Sequence, residues 1–115
     1  MNTPAIPPLP QNPDLAAAYQ QAFDALGTAY WDASDLASKD LLHGTQQTIG
    51  EIITALDEQD LATNTAAFLA LTPKIKAVND QLKQIEASIN QITKNIETVS
   101  SVLAAASKVL AMLPM

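Results

Sequence analysis

From Ile75 onward, apolar residues recur at Val78, Leu82, Ile85, Ile89, Ile92, Ile96, Val99, Leu103, Ala106, Leu110 and Leu113. Their spacing alternates three and four without a slip, which is the heptad rule of a helix seam. The spacing predicts one long helix over 73–113, about 60 Å from end to end at the usual rise. Thr72-Pro73 marks its expected start. Proline disfavours helical geometry in the residue before it and suits the first helical position.

Shorter helices are predicted upstream. Asn12-Pro13 reads as a cap followed by a first-turn proline, and Leu15, Tyr19, Ala22, Leu26 and Ala29 carry a stripe over about 13–30. A corner is expected at Tyr30-Trp31-Asp32, with Asp32 and Asp35 as a weak capping pair. Leu42, Thr45, Ile49, Ile52 and Leu56 make the stripe of a helix over about 33–56. Gly44 and Gly50 within it are expected at points of close helix approach. Leu61, Thr65, Phe68 and Leu69 continue the pattern in a shorter helix over 58–71.

These elements assemble on paper as an all-α fold: an antiparallel long-helix hairpin, coiled-coil-like, with a third shorter helix, giving a three- to four-helix bundle. The half of the long stretch from Ile75 to Ile96 is apolar almost only at the seam. The half beyond it adds Val102, Ala105 and Val109, a face wide enough for two neighbours. The expected shape is therefore a three-helix base with a two-helix tip. Trp31 is expected to be buried near Val109 to Leu113. Ile85, Ile89 and Ile92, on the thinly covered seam, are candidate partner-binding residues.

Residues 1–13 read differently from the helical domain over 14–115. Pro4, Pro7, Pro10 and Pro13 recur every third residue with Pro8 between them, the period of a polyproline II arm. Pro7 and Pro10 are further candidate contacts for a protein partner. No Arg or Lys flanks the prolines, and a stiff extended arm without a partner fits them as well.

Composition narrows the function. The 115 residues carry a net charge of −6, one histidine, three glycines and no cysteine or arginine. Nine of the twelve acids lie in 1–72, which sums to −8, whereas 73–115 sums to +2. The two parts are thus expected to attract each other. With this balance a phosphate-tracking nucleic-acid surface is not expected. Ser38, Asp40 and His43 contain the types of a nucleophilic set, but on one helix they point in different directions and lack an oxyanion loop. Neither metal ligands nor a phosphate cradle are in view. No enzyme activity, cofactor or small-molecule substrate is expected.

The expectation is a non-enzymatic protein-binding helical-hairpin module, an adaptor, inhibitor or assembly subunit that binds a protein partner or itself. The alternative is a membrane-active component of pore-forming or toxin type. It would use 98–115, where Lys108 is the one charge among eighteen residues. No basic start leads into an apolar run, so a cleaved signal peptide is not expected and the compartment stays open. Length, acidity, absence of cysteine and an Ala/Gln/Thr-rich composition resemble small exported helical hairpins of the WXG type. Here Trp31 is followed by Asp32-Ala33, so the Trp-x-Gly turn is missing and no family is assigned.

Overall fold

A computed structural model describes residues 12–61 and 63–113, and these are all-helical. Four helices follow one another: α1 (Asn12–Asp32), α2 (Leu36–Glu58), α3 (Thr65–Ile92) and α4 (Ile96–Met112). α1 packs between α2 and α4, and α3 completes the ring by packing on the same two helices. The short connections run successive helices antiparallel, the arrangement of an up-and-down four-helix bundle.

Side-chain caps set the helix starts. Asp35 accepts from the Ser38 amide at 2.9 Å to begin α2, and Asn64 accepts from the Ala67 amide at 3.0 Å to begin α3. Asn12 works across the chain instead. Its Oδ1 accepts from the Leu61 amide at 3.0 Å, and its amide donates to the Leu56 and Gln59 carbonyls. One side chain thereby fastens the start of α1 to the α2–α3 connection.

The long helix expected over 73–113 is two helices, and its start lies elsewhere. Pro73 sits inside α3 with its ring exposed to solvent. The helix runs through it because Leu71, Ile75, Val78 and Leu82 must all bury on one face, and their spacing crosses Pro73 unbroken. The expected 58–71 helix therefore merges into α3. At the other end the chain breaks at Thr93-Lys94-Asn95. Thr93 is extended (φ −145°, ψ 151°) and its hydroxyl accepts from the Asn95 amide at 3.1 Å. Asn95 accepts from the Glu97 and Thr98 amides at 3.0 and 3.4 Å. These local bonds compete with the helix and end it.

Past the break the buried stripe moves by about one position. α4 buries Thr98, Val102, Ala105, Ala106 and Val109, whereas Ile96 is exposed and Val99, Leu103 and Leu110 are half-buried. This face packs on α1, which buries Ala18, Ala22, Ala25 and Ala29. Small residues on both helices suit a close approach.

The expected two-helix tip does not form. Ile85, Ile89 and Ile92 are core residues enclosed by the chain's own four helices. Close helix approach falls at Gly27, where a Cβ would lie 3.0 Å from Gln46 Nε2, itself donating to the Phe23 carbonyl at 2.9 Å. Gly44 faces open space, and a Cβ at Gly50 would make only ordinary contact with Phe23. The charge asymmetry is realised across α2 and α3 in a Glu51–Lys74 ion pair of 3.3 Å. With both side chains half-exposed, such a pair contributes at most about 1 kcal/mol.

Candidate docking end of the bundle

The end of α1, the start of α2, the end of α3 and the start of α4 gather at one end of the bundle. Caps decide which side chains face outward there. Leu36 is the first helical residue after the Asp35 cap and is 73% exposed; Ile96 holds the same place after Asn95 and is 79% exposed. Trp31, the last residue but one of α1, is 80% exposed. Its expected burial against the end of the chain is thus corrected. Trp31 lies at the opposite end of the bundle from Leu113, because the break at 93–95 turns α4 back.

Contacts beneath these residues hold the end in place. Thr98, itself buried, donates its hydroxyl to Asp32 Oδ2 at 2.6 Å and ties α4 to the last residue of α1. Lys39 of α2 donates to the Tyr30 carbonyl at 2.6 Å, a cation at a helix C-terminus, and its ammonium stands 4.5 Å from the Tyr30 ring centre. Trp31 meets Tyr30 edge-on at 5.5 Å, and His43 lies 6.1 Å from Tyr30 on the α2 side. Trp31 therefore stands on a fixed base.

A groove of about 610 Å³ opens beside this end between α1 and α4. Asp24 and Thr28 line it from α1, and Glu97, Ser100 and Ser101 from α4. Hydroxyls, carboxylates and the Gln21 and Asn95 amides line it together with Ala25 and Ala104, so its surface is mixed. No group of side chains able to hold a metal ion is found among the described residues. The Ser38 hydroxyl donates to Asp35 at 2.7 Å, so it serves the α2 cap. The same two bonds from Ser38 hold the Asp35 carboxyl below its usual range.

The partner-binding residues expected from the sequence are placed elsewhere. Ile85, Ile89 and Ile92 are no more than 3% exposed and offer no surface in the closed bundle. Pro7 and Pro10 lie outside the described residues. Trp31, Leu36 and Ile96 went unselected. For two of them the signal is the capping residue directly before, since a first-turn position after a cap points away from the core. Of segment 98–115, the part up to Met112 lies in α4, and no described helix is long and apolar enough to cross a membrane. No known family, curated protein or solved structure matches the chain.

Proposed function

We propose that this chain is a non-enzymatic protein-binding module that docks a protein partner on the Trp31 end of its bundle. One observation carries the reading: the chain's single tryptophan is 80% exposed on a fixed base, at the end where Leu36 and Ile96 are also exposed. Tryptophan is the side chain most enriched among residues that dominate binding energy, because it buries a large rigid area at small entropic cost. Its exposure brings nothing to the core, so its value lies in what covers it. The groove between α1 and α4 adds hydrogen-bonding groups suited to a rim.

The test compares variants against a partner recovered with the unaltered chain. Trp31→Ala and Leu36→Ala should each leave folding stability within about 1 kcal/mol, since neither residue is in the core. Each should weaken binding by about 2 kcal/mol or more, roughly thirty-fold. Gln47→Ala, on an exposed position of α2 away from this end, should leave binding unchanged. Equal binding by all three variants would refute the assignment.

A further inference from the structure

The heptad seam of α3 does not stop where the helix stops. Ile89 and Ile92 are followed at four and seven residues by Ile96 and Val99, in step across the Thr93–Asn95 break. In the closed bundle that continuation is wasted, because Ile96 is 79% exposed and Val99 is half-buried. The structure shows a tight turn between α3 and α4, while the apolar spacing alone also fits an unbroken helix whose seam passes through Ile96. A short connection between two packed helices is also the kind of hinge that favours exchange between copies.

We propose that the surface completed by the unbroken helix is a second copy of this chain, reached by exchange of α4. When residues 93–95 become helical, α4 can no longer fold back on its own α3. Its buried face of Val102, Ala105 and Val109 is then satisfied in the vacated place on another copy, which gives up its own α4 in return. The two continuous helices cross near residue 94, and Ile96 of each copy is covered there by the other. The exchange uses neither Trp31 nor Leu36 but shares Ile96 with the docking end, so Trp31→Ala and Leu36→Ala, which test docking, should leave the dimer fraction unchanged.

Glu86 and Ser107 give a direct ruler. In the closed bundle the Ser107 hydroxyl donates to Glu86 at 3.2 Å, so both positions are exposed or half-exposed and adjacent. In one continuous helix they stand 21 residues apart, about 31 Å. Spin labels at both positions of one chain, diluted into excess unlabelled chain and refolded at high concentration, should show a short distance in the monomer fraction. In the dimer fraction they should show about 30 Å within the labelled chain. Lys94→Ala with Asn95→Ala, which removes the α4 cap, should raise the dimer fraction at least ten-fold in sedimentation velocity. Ile96→Asp should abolish the dimer in either background yet leave the monomer's melting midpoint unmoved. A dimer that keeps the short distance, or that survives Ile96→Asp, would overturn the proposal. So would a wild-type chain that stays monomeric when refolded at millimolar concentration.

Discussion

The side-chain amide of Asn79, fully buried in the middle of α3, donates to the carbonyl of Leu113 at 2.6 Å. This bond fixes where α4 ends. Leu113 also donates its amide to the Val109 carbonyl at 3.1 Å, so the last turn of α4 is closed by its own backbone and anchored by α3. Asn79→Ala leaves the Leu113 carbonyl buried without that donor, a loss of about 1–3 kcal/mol. Denaturant unfolding should show it, and hydrogen exchange at the Leu113 amide should speed up more than exchange in α2.

Among the described residues, Tyr19 buries a polar group that makes no hydrogen bond at all. Its ring is fully buried and its hydroxyl has no hydrogen-bond partner among the described residues, while burial pushes its ionisation well above the usual value near 10. Tyr19→Phe removes an uncompensated polar group and should raise stability by about 1 kcal/mol. The pH dependence has a definite sign. Below pH 10 the tyrosine is protonated in both states and its effect is constant. Above it the unfolded chain loses the proton and the folded chain keeps it, so stability falls as pH rises. The Phe variant should lack that part of the alkaline fall.

Most of the helical content was legible in the sequence because apolar spacing reports burial directly. Ile75, Val78, Leu82, Ile85, Ile89 and Ile92 are the core face of α3, as their spacing implies. Helix ends were less legible. Pro73 reads as a start because its backbone suits one, but burial of Leu71 on the same face as Ile75 outweighs that preference. Thr93 and Asn95 read as ordinary seam flanks, yet two side-chain bonds to the backbone end the helix there. The exposed end followed from that break. With one helix over 73–113, Leu113 would reach Trp31, and the Trp31 end would not be exposed.

The placement of Pro73 leads to a stability prediction. Inside α3 it supplies no amide for the helix and its ring crowds the preceding turn. Pro73→Ala should therefore stabilise the protein by about 1–3 kcal/mol. A destabilised variant would place the helix start at residue 73 after all. Thermal unfolding followed by circular dichroism decides it.

Ile89 reports on the enclosure of the core. It is 1% exposed, and Ile89→Asp would place a charge there without a partner. The cost, about 3–5 kcal/mol, is a large share of the roughly 5–15 kcal/mol that holds a domain of this size. Helicity should fall at every protein concentration, because the seam is closed within one chain. A variant that kept full helicity and changed only its mass would show that this seam had been shared between chains.

The most direct measurement uses the only tryptophan. Trp31 emission and its quenching by acrylamide should be those of a solvent-exposed indole in the free folded protein. Full unfolding in denaturant should change both little, while circular dichroism records the loss of the helices. Addition of the docked partner should then shift the emission to the blue and reduce the quenching. A free chain with blue-shifted, shielded emission would put Trp31 in the core and contradict the exposed end on which docking is proposed.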